Sequence, residues 1–183
     1  MLKKEKEMNI NSPVGGQGAF FLIGFMGSGK TYWGKKWSEK IGKEFFDTDE
    51  IIEQQQGITI AKIFATDGEN HFRNLETEIL KNMSLQNNLI IACGGGTPCF
   101  NDNITWMNQN GTSVYLQSSP ENISKRLMSE KEKRPLIKHL NDEELLFYIT
   151  EKIKEREVFY QQAEKVINVD DLPENYLPEF LKL

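Results

Sequence analysis

The chain is poor in the residues that build disulfide frameworks and zinc sites. Its 183 residues include two cysteines, Cys93 and Cys99, and two histidines, His71 and His139. Two cysteines do not make a disulfide framework, and no cysteine or histidine cluster has the spacing of zinc ligands. We therefore expect the cysteines to pack as small residues near a loop, and the histidines to have no catalytic role.

Excess positive charge and long apolar runs are also missing. The chain has 22 Lys and Arg against 27 Asp and Glu, a net charge of −5, which argues against a broad nucleic-acid-binding surface. No run approaches the ~18 apolar residues of a membrane span. Residues 1–7 are charged and lack the apolar core of a signal peptide. The composition predicts a cytoplasmic protein without nucleic-acid or membrane partners, and we expect a monomer.

The order of apolar segments predicts a single α/β domain over residues 19–183, after a polar, flexible leader at 1–18. Strands are predicted at 19–23, 44–49, 89–92, 113–116 and 166–169. Helices are predicted after Lys30, Thr59 and Ser119, and over 69–83 and 145–160. Because strands alternate with helices, we expect parallel βαβ units and a three-layer domain.

The chain does contain a complete phosphate-binding motif. Residues 24–31 read Gly-Phe-Met-Gly-Ser-Gly-Lys-Thr and match G-x-x-x-x-G-K-[ST]. An apolar run precedes the motif, and Trp33, Trp37 and Ile41 follow it at helical spacing. Strand, glycine loop and helix are the context that a P-loop requires, which argues against a chance glycine turn.

A P-loop binds the phosphates of a nucleotide through its backbone. Glycines let backbone N–H groups turn toward phosphate oxygens, and the helix N-terminus adds a partial positive charge. Lys30 would neutralise the β- and γ-phosphates of ATP, and the Thr31 hydroxyl would hold Mg²⁺.

Two further loops should meet the P-loop, because the carboxyl ends of parallel strands share one edge of the sheet. Asp47 and Asp49, two apart on an extended segment, would point the same way. One could support Mg²⁺ and the other could face an attacking hydroxyl, unless they are an ordinary turn pair. Gly94, Gly95 and Gly96 form either a tight turn or a close approach of backbone to ligand.

Three arginines have two readings each. Arg73 and Arg156, on predicted helices, belong either to solvated faces or to bidentate sites for a small carboxylate. Spacing alone leaves open whether they meet. The charged segment 129–140 is either a surface loop or a mobile lid with few buried contacts. As a lid it would place Arg134 over the transferring phosphoryl group.

Together these motifs closely resemble the shikimate kinase family, from about residue 19 to residue 169. The resemblance rests on the P-loop, 47–49, Ile63-Phe64, Gly68-Glu69, Phe72-Arg73, 94–96, 134–136, and Arg156 with Tyr160. It implies a P-loop kinase fold akin to nucleoside monophosphate kinases, a five-stranded parallel sheet flanked by helices, with a mobile lid. It also implies transfer of the ATP γ-phosphoryl to the 3-hydroxyl of shikimate, on the route to chorismate and aromatic amino acids.

The resemblance assigns roles residue by residue. Implied catalytic residues are Lys30, Asp49 and Arg134. Implied nucleotide contacts are Gly27, Ser28, Gly29, Lys30, Thr31, Tyr32, Arg126 and Arg134. Implied shikimate contacts are Asp49, Arg73, Gly94, Gly95, Gly96 and Arg156, and implied Mg²⁺ positions are Thr31 and Asp47. Tyr32 departs from the family, which commonly has Ser-Thr or Thr-Thr at positions 31 and 32, and the second adenine loop near 171–173 lacks a clear arginine.

Two alternatives stay open at this point. A gluconate-type or nucleotide P-loop kinase shares the architecture, and paired arginines also suit gluconate. The triple glycine and residues 47–49 favour shikimate. An inactive nucleotide-binding regulator is the second alternative, against which Lys30, Asp49 and Arg134 argue because they are all present.

Overall fold

Five parallel strands form the centre of the molecule. The structure is a computed structural model and describes residues 18–83, 88–131, 134 and 136–182. The strands are β1 (Ala19–Ile23), β2 (Glu44–Asp47), β3 (Leu89–Ala92), β4 (Gly111–Gln117) and β5 (Lys165–Asn168). Their order across the sheet is β2-β3-β1-β4-β5, and every neighbouring pair is parallel. The predicted leader, up to residue 17, lies outside the described residues.

Helices connect the strands and cover both faces of the sheet. Within the described ranges they are α1 (Lys30–Ile41), α2 (Thr48–Gln56), α3 (Ile60–Thr66), α4 (Gly68–Met83), α5 (Asn103–Asn110), α6 (Pro120–Met128) and α7 (Asp142–Tyr160). No helix in this part of the chain is both long and apolar enough to cross a membrane.

The alternation of side chains along β1 divides the core into two layers. Phe21 and Ile23 pack into one layer, with residues from α4, α5, α6 and α7. Phe20 and Leu22 pack into the other, with α1 and the C-terminal segment. In that second layer Trp37 is fully buried and its Nε1 donates a hydrogen bond to the Tyr176 carbonyl at 3.1 Å. The sheet therefore lies between two layers of helices and C-terminal chain, which confirms the predicted three-layer domain.

Side-chain caps begin α3 and α6 where the sequence predicted them, and α7 begins with a cap that was not predicted. The Ser119 hydroxyl accepts from the backbone N–H of Asn122 at the start of α6, and Thr59 accepts from Lys62 at the start of α3. α7 begins with a reciprocal capping box between Asn141 and Glu144. Such caps satisfy N–H groups that have no partner within the helix.

The predicted buried strand over 44–49 is wrong in two respects. β2 ends at Asp47, because the Asp47 side chain accepts from the backbone N–H of Asp49 at 3.1 Å and caps α2. Thr48 and Asp49 are therefore helical. β2 is also only half-buried or exposed, since it forms one edge of the sheet. Neither α2 nor α5 was predicted from the sequence.

Candidate active site

A cavity of about 1350 Å³ opens at the carboxyl ends of the strands. P-loop residues, the start of α2, the α3 face around Phe64 and the segment after α6 line it. The predicted site residues on its wall are Gly27, Gly29, Lys30, Thr31, Tyr32, Asp47, Asp49, Gly95, Arg126 and Arg134. The predicted convergence of three loops at this edge is thus confirmed for the P-loop, for the acidic pair and for Gly95.

The P-loop backbone requires glycine at two positions, and its Ser28 N–H donates to the Phe25 carbonyl at 3.1 Å. Gly27 and Gly29 have φ values of 78° and 91°, in the left-handed region that side chains disfavour. Gly29 precedes α1, and no side chain caps that helix. The buried hydroxyl of Ser28 has no hydrogen-bond partner among the described residues. Uncapped amides at a helix N-terminus are the groups that bind phosphate oxygens.

Lys30 lies inside the P-loop rather than in solvent. Its Nζ donates hydrogen bonds to the carbonyls of Gly24 at 2.9 Å and Phe25 at 3.0 Å. Burial lowers the pKa of Lys30 to about 8, and the charges of Asp49 and Asp47 oppose that change. The two carbonyls and two carboxylates therefore surround a buried ammonium group.

Thr31 and Asp47 supply the oxygen atoms that Mg²⁺ prefers. The Thr31 hydroxyl donates to Asp47 Oδ2 at 2.7 Å. The described residues hold no cluster of three acidic, histidine or cysteine side chains that would enclose a metal. One hydroxyl and one carboxylate fit Mg²⁺, because this ion usually retains water and binds substrate phosphates rather than an all-protein cage.

Asp49 differs from Asp47 in its surroundings. Its Oδ1 is buried and has no hydrogen-bond partner within the described part of the chain. Burial, followed by the charges of Asp47 and Glu76, raises the pKa of Asp49 to about 7. A carboxyl group of this pKa on the cavity wall can accept a proton near neutral pH.

Side chains approach the triple-glycine loop closely. The Gly94 N–H donates to Thr48 Oγ1 at 3.0 Å. A Cβ atom at Gly94 would lie 2.9 Å from Asp49 Oδ1, and one at Gly96 would lie 2.8 Å from Arg73 Nη1. Both distances are shorter than real contacts allow. A side chain at Gly94 would therefore displace Asp49, and one at Gly96 would displace Arg73.

The two predicted acceptor arginines border this loop but not the wall of the main cavity. Arg73 Nη1 donates to Glu76 Oε2 at 2.6 Å and Nη2 donates to Glu69 Oε1 at 2.8 Å. The Arg73 side chain is only 11% exposed, so the solvated-face reading is wrong for it. Arg156 is half-buried, and its Nη1 would lie 3.7 Å from a Cβ at Gly95. The structure thus brings both arginines to one loop.

Glu76 is a site residue that the sequence reasoning missed. It is 1% exposed, accepts from Arg73 and from Thr97, and burial raises its pKa despite the opposing charge of Arg73. Two signals could have found it. It follows Arg73 by three residues on a helix, and it shares the buried face of Phe72 and Ile79.

Tyr160 and the cysteines complete this side of the site. The Tyr160 hydroxyl donates to the Gly95 carbonyl at 2.6 Å and so ties α7 to the glycine loop. Cys93 is buried directly before the loop and Cys99, three residues after Gly96, is half-buried; both are free thiols. Burial raises the pKa of Cys99 to about 11, so it is unreactive at neutral pH. The predicted packing role of the cysteines is confirmed.

Arg126 joins the P-loop to the end of β5. Its Nη1 donates to the Gly27 carbonyl at 3.2 Å, and its Nη2 lies 3.6 Å from Asp170 Oδ1. Asp170, which the sequence reasoning missed, also accepts from the hydroxyl of Ser118 and from the backbone N–H of Ser119. Asp170 directly precedes the predicted second adenine loop at 171–173. An acidic residue therefore holds the start of that loop, where the family resemblance implies an arginine.

The predicted lid is anchored more firmly than expected. Arg134 Nη2 donates to Glu130 Oε2 at 2.7 Å. Ile137 is fully buried and Leu140 packs against the same core layer, whereas Leu136 is 65% exposed beside the cavity. The expectation of few buried contacts is therefore wrong for Ile137 and Leu140, whereas Lys138 and His139 are exposed. Residues 132, 133 and 135 lie outside the described residues.

Comparisons with known proteins agree on one family. A family model for shikimate kinase matches residues 26–182. The shikimate kinase of Azobacteroides pseudotrichonymphae genomovar. CFP2 is 41% identical over 165 residues, or 87% of this chain and 97% of that protein. The crystal structure of shikimate kinase from Bacteroides thetaiotaomicron matches with a TM-score of 0.82 and 37% identity, over 85% of this chain and 89% of that one.

A second solved structure supports the same assignment. Shikimate kinase from Acinetobacter baumannii, in complex with shikimate, matches with a TM-score of 0.76 and 33% identity, over 86% of this chain and 87% of that one. These structures confirm the predicted P-loop kinase fold. With 157 of its residues covered by the family model, from 26 to 182, the chain belongs to the shikimate kinase family.

Proposed function

We propose that the protein transfers the γ-phosphoryl group of ATP to the 3-hydroxyl of shikimate. The observation that carries this proposal is the meeting of three groups at one loop. Asp49 lies beside Gly94, Arg73 beside Gly96, and Arg156 beside Gly95. A carboxylate and two guanidinium groups at one point suit an acceptor that has both hydroxyl groups and a carboxylate.

The acceptor half of the reaction falls to these residues. Arg73 and Arg156 bind the shikimate carboxylate, and the backbone of Gly95 contacts the ring. Arg73 retains N–H groups for this purpose, because a guanidinium has five and its observed bonds to Glu69 and Glu76 use three. Asp49 orients the 3-hydroxyl and accepts its proton as the oxygen attacks phosphorus.

The P-loop and the residues beside it bind the phosphates of ATP and stabilise the transferring phosphoryl group. Backbone N–H groups of Gly27 and Gly29 bind phosphate oxygens, and Lys30 stabilises the charge of the transferring group. Thr31 and Asp47 would hold Mg²⁺, which neutralises phosphate charge when bound. Arg134 closes over the phosphoryl group from the segment 129–140 and excludes water.

The nucleotide base lies beyond the P-loop, against Arg126. Tyr32 lines the same cavity and is 53% exposed, so its ring is available to the nucleotide. We further propose one kinase domain over residues 19–183 that works as a cytoplasmic monomer, without nucleic-acid or membrane partners. The net charge of −5 supports the absence of a nucleic-acid partner.

An assay of ADP release with different acceptors tests the proposal. The enzyme is given Mg·ATP with shikimate, gluconate or nucleoside monophosphates in separate reactions. We expect shikimate to give the fastest ADP release, because the triple glycine and residues 47–49 favour shikimate over gluconate, and nucleoside monophosphates have no carboxylate for Arg73 and Arg156 to bind. Equal or faster turnover with gluconate or a nucleotide would overturn the proposed acceptor.

A further inference from the structure

Thr97, directly after the triple glycine, is a fully buried residue to which the mechanism above gives no role. It begins a short 3-10 turn, Thr97–Cys99, and its side chain is 0% exposed. Its hydroxyl donates to Glu76 Oε1 at 2.5 Å. A hydroxyl donating to a buried carboxylate is one of the stronger hydrogen bonds in a protein, because the acceptor is charged.

The same carboxylate orients Arg73. Glu76 Oε2 accepts from Arg73 Nη1 at 2.6 Å, while Oε1 accepts from Thr97. The Glu76 carboxylate is therefore fixed at both oxygens, one by the glycine loop and one by the arginine. Since Glu76 is 1% exposed, water cannot readily replace a lost donor.

The backbone of Thr97 is held in place by hydrogen bonds to residues on neighbouring helices. Its carbonyl accepts from Asn103 Nδ2 at 3.0 Å, and the same amide donates to Thr77 Oγ1 at 3.1 Å. The Thr77 hydroxyl in turn donates to the Arg73 carbonyl at 2.9 Å. The turn after the glycines and the helix that bears Arg73 are thus tied to each other by both backbone and side chains.

We propose that Thr97 is a positioning residue for the carboxylate-binding site. Its hydroxyl fixes Glu76. Glu76, the buried partner of Arg73, then acts together with the more exposed Glu69 to fix the plane in which the Arg73 guanidinium meets the carboxylate of the acceptor. Thr97 does not contact the acceptor. This inference rests on the proposed function, because it assigns to Arg73 the carboxylate of shikimate.

The test compares Thr97→Val with Thr97→Ser. Valine has nearly the same shape but no hydroxyl, whereas serine keeps the hydroxyl. We expect Thr97→Val to raise the KM for shikimate by about ten-fold or more. Ten-fold corresponds to the lower end of the free energy that a hydrogen bond to a charged group contributes. The KM for ATP should change by less than about two-fold. Thr97→Ser should have a KM for shikimate close to that of the unmodified enzyme. Thr150→Val, which removes an exposed hydroxyl that donates to the Leu146 carbonyl and has no part in this network, is the control.

An ester of the acceptor separates positioning from general damage to the fold. Shikimate methyl ester lacks the carboxylate charge, so its affinity in calorimetry should be nearly the same for Thr97→Val and the unmodified enzyme. If Thr97→Val does not fold, the ratio of the shikimate KM values of Thr97→Ala and Thr97→Ser gives the same comparison.

Three results would overturn the inference. One is an unchanged shikimate KM in Thr97→Val, and another is an equal loss of affinity for shikimate and its ester. Either result leaves the proposed function standing if the unmodified enzyme phosphorylates shikimate. The third is an unmodified enzyme that does not use shikimate, which overturns the proposed function and this inference with it.

Discussion

The Thr31 hydroxyl donates to Asp47 Oδ2 across 2.7 Å, which links the first turn of α1 to the end of β2. If this pair supports Mg²⁺, Asp47→Asn should weaken metal binding without removing the acceptor site. We expect its loss of activity to ease as the Mg²⁺ concentration is raised, in steady-state assays at saturating ATP and shikimate. A defect that does not respond to Mg²⁺ would exclude a metal role for Asp47.

Asp49→Asn should behave differently from Asp47→Asn. Asparagine has nearly the same size but cannot accept a proton, so kcat should fall by about 10²–10⁴-fold while ATP affinity stays nearly unchanged. Raising Mg²⁺ should not restore this variant. If the two variants responded alike to Mg²⁺, our division between metal support and proton transfer would be wrong.

Arg73→Lys and Arg156→Lys should each raise the KM for shikimate far more than the KM for ATP. Lysine keeps the charge but loses the planar fork, which degrades a bidentate contact worth roughly 1.5–3 kcal/mol. Lys154→Ala, at an exposed position beside Arg156, is the control. An arginine whose replacement leaves shikimate binding unchanged in calorimetry does not bind the acceptor.

Arg134→Ala should lower kcat more than it weakens ATP binding, because the charge that Arg134 meets grows in the transition state. We expect a loss in kcat of at least about ten-fold. Hydrogen exchange in the segment 129–136 should slow when both substrates bind, whereas the buried Ile137 should be protected in the free enzyme as well. Unchanged exchange in 129–136 on forming the ternary complex would contradict the lid assignment.

Asp170 should make stability depend on pH in the acid range. Burial alone would raise its pKa, but hydrogen bonds from Ser118 and Ser119 outweigh burial and lower the pKa to about 2. Since an unfolded Asp titrates near about 3.9, the stabilisation is fully present above that pH and is lost as the pH falls toward about 2.

Urea unfolding of Asp170→Asn at several pH values measures this contribution. At neutral pH the variant should be less stable by about 1 kcal/mol, since solvent screens part of the interaction. The difference in the free energy of unfolding should shrink between about pH 4 and pH 2. A difference that is the same at every pH would show that the carboxylate charge does not stabilise the fold.

Much of this fold could be predicted from local sequence signals. The apolar runs around Phe21 and Ile90 are short and lie between turn residues, so they identify interior strands. Ser119 with Pro120 marks a helix start for local steric and hydrogen-bonding reasons. Gly29 and Lys30 belong to a motif whose chemistry fixes its structure, so the P-loop needed no tertiary information.

The errors arose where tertiary contacts decide. Asp49 was placed on an extended segment because the cap made by the Asp47 side chain cannot be distinguished from a strand residue by pattern alone. Glu76 was missed because acidic residues are rarely buried. Its partner Arg73 is three residues away and is a local signal, but its second partner, Thr97, is 21 positions away in sequence. The meeting of Arg73 and Arg156 likewise depends on helices that are distant in the chain.

The order of the strands has a consequence for solubility. β2 and β5 form the two open edges of the sheet, and each is only four residues long. Exposed charged residues, Glu44 on β2 and Lys165 on β5, lie at these edges. Short, charged edges give a foreign strand few backbone groups to pair with and a charge to desolvate. The sheet therefore resists growth by strand addition, and copies of the protein are protected from edge-to-edge aggregation.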